Sequence, residues 1–287
     1  MKVDYHVHPN LPSRHPGKRL AKLWQAVERH GLDAFICAEH TFKDAPAAYR
    51  ETLAARPKRV RCQVFPGAEL ATSDGRGGVD IVAFAEEDWY DEHPRLLEPF
   101  SMTLAETVRT LEASGLHWFI PHPTIMGSAL RRMFPSQESM REFLSSVPAF
   151  EARNGTHLLI EHLCSHPLVR PFFGCLRERL RASAEPRLDL YFTSHAFLAV
   201  GSDAHHPRDL GYCVEFPGGV LGRRLTFGRL TRNTDIQTLH LPNFSYALPR
   251  LLATAGTAFH EWCMRKTGGL ETVQELRTAW ESLREGA

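Results

Sequence analysis

The sequence lacks long apolar runs, CxxC cysteine pairs and low-complexity segments. No stretch approaches the roughly 18 consecutive apolar residues that a membrane-spanning helix requires, so no membrane association is expected. The first residues also lack the apolar segment of a secretory signal. The six cysteines are scattered and predict reduced thiols. We therefore expect a cytoplasmic protein.

An excess of charge of one sign is also missing. Lys and Arg together number 34, Asp and Glu number 33, and the formal net charge is +1. Without a basic excess, no global field attracts a polyanion, and nucleic acid polymers are not expected as partners. The 287 residues suffice to bury a sizeable core in one large α/β domain or two smaller ones.

Histidine, by contrast, is abundant. The chain has 16 histidines, about twice the number expected at an ordinary usage of roughly 2–3 %. Many of them stand beside Asp, Glu or Pro at the ends of apolar runs. This pattern points to metal chemistry, because imidazole nitrogens and carboxylate oxygens are common metal ligands.

Segments with strand character alternate with segments of helical spacing. Strands are predicted at 2–6, 34–38, 60–70, 79–84, 117–121, 147–151 and 197–200. Helices are predicted at 18–30, 45–55, 104–111, 136–144, 157–164 and 171–184. The alternation predicts an α/β fold with a mostly parallel sheet, and about seven strands favour a closed or distorted barrel. Helices predicted at 248–262 and 270–283 would cap it, which divides the chain into a barrel (1–214) and a capping segment (215–287).

Side chains that can bind metals follow the predicted strands. On the first strand His6 and His8 lie two residues apart, so both imidazoles face one side, and Asp4 shares that side. The later strand ends carry further candidates: Glu39, His40, Glu69, His122, Glu151, Asp203, His205 and His206. Because the carboxyl ends of parallel barrel strands converge at one mouth, these residues predict a shared metal site.

The combination of DYHVH at 4–8, EH at 39–40, GAE at 67–69, HP at 122–123 and GSDAH at 201–205 resembles the PHP (polymerase and histidinol phosphatase) family. The motifs occur in the family's order. The resemblance implies a distorted seven-stranded (β/α)7 barrel and a trinuclear site for divalent ions such as Zn, Mn or Fe. It also implies phosphoester hydrolysis as the commonest activity.

The resemblance further implies three groups of ligands, one for each ion: His6, His8, Glu69 and Asp203; Glu69 and His122; and His15, His40 and His205. Many members carry a histidine where this chain has Asp80. Asp80 is then either an oxygen ligand or the sign of a weak or absent third metal. Two to three divalent ions are therefore expected.

The expected chemistry needs no Ser or Cys nucleophile. Clustered divalent cations polarise phosphoryl oxygens and lower the pKa of bound water, so that a metal-bound hydroxide can attack phosphorus. Asp203, His205 and His206 are the candidate catalytic residues, the two histidines as proton donors to the leaving oxygen. Candidate phosphate-binding side chains are Arg153, Arg14, Lys43 and Arg208. Residues expected to support the ligands are Asp4, Glu39, Glu151 and Asn154.

The favoured function is a phosphoesterase for a small phosphorylated metabolite, such as histidinol phosphate, a nucleotide or a sugar phosphate. Two alternatives stay open: an amidohydrolase-like enzyme that cleaves C–N or C–O bonds, and a PHP-like module without catalytic activity. The sequence leaves the oligomeric state open.

Overall fold

The computed structural model describes residues 1–10, 16–73, 79–123, 136–159, 167, 197, 199–215 and 238–240. The strands are β1 (Lys2–Val7), β2 (Ala34–His40), β3 (Gln63–Ala71), β4 (Asp80–Phe84), β5 (His117–Phe119), β6 (Glu151–Asn154), β7 (Ala199–Gly201), β8 (Cys213–Glu215) and β9 (Thr238–His240). The helices are α1 (Pro16–His30), α2 (Ala45–Ala54), α3 (Leu104–Ser114) and α4 (Gln137–Ser146), with short 3-10 turns at Thr41–Lys43 and Pro94–Leu97. Residues 155–159 begin a further helix. The helices predicted at 171–184, 248–262 and 270–283 lie outside the described residues.

Five strands form a curled half-barrel sheet in the order β5-β4-β3-β2-β1, and β8 and β9 continue from β1. Strands β1, β2 and β3 are parallel. Strand β4 is antiparallel to both of its neighbours, which interrupts the parallel order that the alternation predicted. The reversal places Asp80, the first residue of β4, opposite Ala71 at the end of β3. Asp80 therefore lies at the same sheet edge as the carboxyl ends of β1, β2 and β3.

Strands β6 and β7 form a separate parallel pair. One isolated bridge joins Ile120, just after β5, to Phe150, just before β6. A second bridge joins Val7 of β1 to Ala204, just after β7. Hydrogen bonds thus connect the pair to both outer strands of the five-stranded sheet.

Strand β6 begins where the predicted strand ended. The segment 147–150 is largely buried, but Pro148 has no N–H to donate to a sheet ladder, and regular pairing starts only at Glu151. Strand β8 spans the predicted boundary between residues 214 and 215, and β9 hydrogen-bonds to β8. The division into barrel and capping segment stays a prediction.

An apolar core holds the sheet and the helices together. All seven residues of β2 are buried, as is typical of a strand covered on both faces. Phe84, Phe119 and Phe197 pack edge to face with ring centroids 5.9–6.3 Å apart. Trp24 of α1 donates from Nε1 to the carbonyl of Thr52 at 3.1 Å, which fixes α1 against α2. Within the described ranges, no helix combines the length and the apolar character needed to cross a bilayer.

Candidate metal centre

A cluster of ionisable side chains lies at the edge where β1, β2 and β3 end and β4 begins. Its most buried polar members, each at most 6 % exposed, are His6, His8, Glu39, His40, Glu69, Glu151, Asn154 and Asp203. His122 and His205 are half-buried at its border. So many buried ionisable groups are costly unless they neutralise one another or bind an ion.

His6 of β1 and His8, which directly follows β1, point to a common position. The two residues lie two apart along the extended chain, and their Nε2 atoms lie 3.0 Å apart. Oε2 of Glu69 lies 3.4 Å and 3.3 Å from the Nε2 atoms of His6 and His8. Oδ1 of Asp203 lies 3.2 Å from Nε2 of His8. Ligands about 2.0–2.2 Å from one ion lie at such separations from one another, so a divalent cation fits between these atoms.

The carboxylate of Glu69 faces two sides. Oε2 lies 3.0 Å from Nδ1 of His40, and Oε1 lies 3.1 Å from Nε2 of His122. The ligand atoms of Glu69, Asp80 and His122 are all within 4.8 Å of one another. Glu69 could therefore be a ligand shared by two neighbouring cations.

A third group contains imidazoles alone. The ligand atoms of His8, His40 and His205 are within 4.8 Å of one another, and Nε2 of His40 lies 3.4 Å from Nε2 of His205. Nδ1 of His205 lies 3.1 Å from the carbonyl of Asp203, which leaves Nε2 facing the group. His8 also belongs with His6 and Asp203, and because one lone pair binds one ion, the two groups compete for it.

A carboxylate lies beside the Nδ1 atom of His6 and another beside that of His8. Oε1 of Glu151 lies 3.3 Å from Nδ1 of His6, and Oε1 of Glu39 lies 3.5 Å from Nδ1 of His8. A carboxylate at Nδ1 favours the ring proton on that nitrogen, and Nε2 then presents its lone pair to an ion. These two glutamates thus orient the rings toward the common position.

Glu151 also organises the backbone around the cluster. Its Oε2 accepts hydrogen bonds from the backbone N–H of His122 at 2.8 Å and from Nδ2 of Asn154 at 2.8 Å. The same Nδ2 lies 3.2 Å from Oδ2 of Asp203. His122 and Asp203 have φ values of 31° and 50°, an uncommon conformation for residues other than glycine. The network around Glu151 holds both residues in place.

Asp4 supports the backbone and not a histidine ring. Its Oδ1 accepts from the N–H of His6 at 3.1 Å and from the N–H of Ser202 at 2.8 Å, which ties β1 to the loop after β7. Burial raises the pKa of Asp4 to about 7, although these hydrogen bonds oppose the shift. The sequence did not predict the contact of Ser202 with Asp4; the only sequence signal for Ser202 is its position next to Asp203.

The histidines of the cluster hold protons more strongly than usual. Burial disfavours the charged form of His6, but the carboxylates of Asp203 and Glu151 outweigh it and raise its pKa well above the ordinary value. In the same way burial is outweighed at His8, whose pKa rises to about 8 through the Asp203 and Glu39 carboxylates. Contact with Glu69 raises the pKa of His122 to about 9 against the effect of burial.

The carboxylates shift in the opposite direction. Burial alone would raise the pKa of Glu39, but its contact with His8 and the charge of Lys43 lower it to about 2. The imidazoles around Glu69 and Asp203 likewise overcome burial and hold both pKa values below the ordinary range. Both sets of shifts favour negative carboxylates beside protonated imidazoles when no metal is bound. A divalent cation carries the charge to replace those protons, and the nitrogen and oxygen donors fit such an ion.

Arg19 and Asn10, which the sequence did not single out, hold the loops beside the cluster. Arg19 donates from Nε to the carbonyl of Pro9 at 2.6 Å and from Nη2 to the carbonyl of His205. Asn10 donates from Nδ2 to the same His205 carbonyl at 3.3 Å and from its backbone N–H to Glu39. No local pattern distinguishes Arg19 from an ordinary charged residue on the exposed face of a helix.

Other predicted site residues lie at the border. Lys43 contributes positive charge near Glu39, with Nζ 5.6 Å from the ring centroid of Phe42. His206 belongs to none of the three ligand groups found among the described residues, and burial lowers its pKa. Its Nδ1 accepts from the backbone N–H of Arg208, whose side chain is exposed.

Three of the remaining predictions fall where the structure gives no side chain. Arg14 and His15 lie outside the described residues. Arg153 is described as part of β6, but its side chain is not. Their predicted roles stay predictions.

No family model and no curated protein matches the chain. Among solved structures, PsfC from Pseudomonas syringae PB-5123 superimposes with a TM-score of 0.54 at 21 % identity, covering 90 % of this chain and 96 % of that one. A Bifidobacterium adolescentis ATCC 15703 protein, provisionally named a metal-dependent phosphoesterase, gives a TM-score of 0.40 at 13 % identity, covering 88 % and 95 %. The chain therefore shares its fold with PsfC.

Proposed function

We propose that this chain is a metal-dependent phosphoesterase that hydrolyses a small phosphorylated metabolite. The observation that carries the proposal is the placement of Glu69. Its buried carboxylate faces His40 with one oxygen and His122 with the other, at 3.0 Å and 3.1 Å. A carboxylate between two groups of donors could be shared by two neighbouring divalent cations, and such pairs stabilise the attacking and leaving oxygens in phosphoester hydrolysis.

The proposal includes a distorted seven-stranded barrel of the PHP type. The two isolated bridges, Ile120 with Phe150 and Val7 with Ala204, support closure of β1 to β7 into a ring. A ring brings the loops after β5, β6 and β7 to the edge where β1 to β3 end. This convergence accounts for the meeting of residues that are far apart in sequence.

Two to three divalent ions, of the Zn, Mn or Fe type, would be held by His6, His8, His40, Glu69, Asp80, His122, Asp203 and His205, together with His15. When bound, such ions polarise phosphoryl oxygens and lower the pKa of bound water. The chain's own residues prepare the site: Glu39 and Glu151 orient the imidazoles of His8 and His6. His206, which belongs to none of the three ligand groups among the described residues, is the candidate proton donor to the leaving oxygen, and Lys43 is a candidate phosphate contact.

A direct test compares metal-loaded wild-type protein with two variants. The full chain is stripped of metal and reloaded separately with Zn, Mn or Fe. Phosphate release from small phosphomonoesters and p-nitrophenol release from a phosphodiester are then measured. Glu69→Gln should lower metal affinity and turnover by more than about 100-fold, because loss of a residue that only supports a ligand already costs about 10–100-fold. His93→Gln removes a histidine beside Trp89, outside the cluster, and should change neither.

Three outcomes would overturn the proposal. Absence of turnover of both ester classes by metal-loaded protein would contradict phosphoester hydrolysis. Turnover of amides or lactams in its place would indicate a C–N hydrolase. Less than one equivalent of metal after loading would indicate a module without catalytic activity.

A further inference from the structure

The three ligand groups differ in the atoms that they offer. They are the imidazole group His8, His40 and His205; the mixed group His6, His8 and Asp203; and the oxygen-rich group Glu69, Asp80 and His122. The imidazole group offers three nitrogens, and the oxygen-rich group offers two carboxylate oxygens and one nitrogen. Imidazole donors suit Zn²⁺, whereas carboxylate donors suit the harder ions Mn²⁺ and Mg²⁺.

The groups also differ in exposure. His8 and His40 are 1 % and 3 % exposed. In the oxygen-rich group only Glu69 is buried, and Asp80 and His122 are half-buried. An accessible site with three protein ligands leaves positions for water, which Mg²⁺ and similar hard ions retain on binding. Access also allows the ion to exchange with solution.

The direction of β4 creates the oxygen-rich group. Because β4 runs antiparallel to β3, its first residue pairs with the last residue of β3. Asp80 is thereby placed at the edge near Glu69, which lies two residues before the end of β3 and 11 residues before Asp80 in the sequence. A histidine at position 80 would offer a nitrogen and convert the group to one oxygen and two nitrogens. One side chain therefore sets the hardness of this group.

We infer that the oxygen-rich group is an exchangeable Mn²⁺ or Mg²⁺ site, whereas the two histidine-rich groups that share His8 retain one Zn²⁺. The inference rests on the proposed function and specifies which cations that centre uses. Mixed occupancy, one retained ion and one exchangeable ion, follows from the donors and not from the fold alone.

The experiment measures bound metal and not turnover. Stripped full-length protein is equilibrated with one equivalent of Zn²⁺ and an excess of Mn²⁺, and bound metal is measured by equilibrium dialysis and inductively coupled plasma mass spectrometry. Bound Mn²⁺ is followed by electron paramagnetic resonance. Wild-type protein should retain both metals, and a chelator should remove Mn²⁺ first.

Two substitutions at position 80 separate donor chemistry from folding. Asp80→His should lose bound Mn²⁺ and should bind a second equivalent of Zn²⁺ when this is supplied, because imidazole favours zinc. Asp80→Asn keeps the size of the side chain and should weaken Mn²⁺ retention by about tenfold or more. Glu112→His adds a histidine on the exposed face of α3 and should leave both metals unchanged.

The failure of this inference differs from the failure of the proposed function. Wild-type protein that binds no Mn²⁺ beside one equivalent of Zn²⁺, or Mn²⁺ binding that is unchanged in both Asp80 variants, overturns the inference and leaves a metal-dependent hydrolase intact. Wild-type protein that binds neither metal overturns both.

Discussion

Replacing Glu151 with glutamine tests whether this carboxylate decides which nitrogen of His6 faces the metal. Oε2 of Glu151 accepts from His122 and Asn154, while Oε1 lies 3.3 Å from Nδ1 of His6. Because the two donors need an acceptor, the oxygen of the glutamine should take the place of Oε2. Its NH₂ group would then face His6 and donate to Nδ1. The ring proton would move to Nε2, the atom expected to bind the ion.

The variant can recover the metal-binding form of His6 only at an energetic cost. In the metal-binding form the ring proton of His6 is on Nδ1. If the glutamine NH₂ group still faces that atom, two N–H groups face each other and a buried donor stays unsatisfied, which costs about 1–3 kcal/mol. If the amide turns over, it gives up two hydrogen bonds worth about 0.5–1.5 kcal/mol each. Either route costs roughly 1–3 kcal/mol, which corresponds to metal binding about 5- to 150-fold weaker.

The assay is a competition titration of Zn²⁺ against a fluorescent chelator, with circular dichroism to check the fold. Glu98→Gln makes the same chemical change at an exposed carboxylate and should leave the affinity unchanged. A folded Glu151→Gln protein that binds Zn²⁺ within about twofold of wild type would refute the reasoning, because a supporting carboxylate should contribute about 10–100-fold.

Three further predictions concern packing, loops and protons. Gly201→Ala should lower the free energy of unfolding, measured by denaturant titration, by about 1–3 kcal/mol, because a Cβ there would overlap the Cβ of His6 and lie 2.7 Å from its N. At the control position, Gly17→Ala, the added Cβ meets nothing within 4 Å, and the free energy of unfolding should not change. Arg19→Met removes the hydrogen bonds to two loop carbonyls and should weaken Zn²⁺ binding by about tenfold in the same titration; an unchanged affinity would contradict a positioning role. The pKa of His8, raised to about 8 without metal, predicts that metal affinity increases with pH up to about 8, because the ion must displace a proton. Since this folded-state pKa lies above the ordinary value of 6.5, the contribution of His8 to the stability of the metal-free protein is complete below about pH 6.5 and is lost as the pH rises through about 8. A thermal unfolding temperature of stripped protein that does not fall over this pH range would contradict the assignment.

Local pattern predicted much of the framework. The apolar spacing from Lys18 to His30 predicted α1, which begins two residues earlier, at Pro16. Alternation along β1 predicted that His6 and His8 share a face, and their Nε2 atoms lie 3.0 Å apart. Such features are local, because backbone geometry alone sets the direction of neighbouring side chains.

The direction of β4 relative to β3 could not be predicted from the sequence. Strand character is the same whether a strand runs parallel or antiparallel, so the pattern of Asp80–Phe84 predicted a strand but not its orientation. That orientation decides whether Asp80 lies beside Glu69 or at the opposite edge. The sequence therefore left the role of Asp80 open, and the register of β4 brings it to the cluster.

The sequence by itself determined the donor types of this centre and the strands that carry most of them, because those depend on residue identity and on short-range spacing. Only the tertiary structure decided which donors meet. Glu151 and His6 are 145 residues apart, and the contact between them follows from packing of the whole chain. The same holds for Arg19 and the His205 carbonyl, 186 residues apart. Long-range contacts of this kind depend on the pairing of strands and loops, which no single segment encodes.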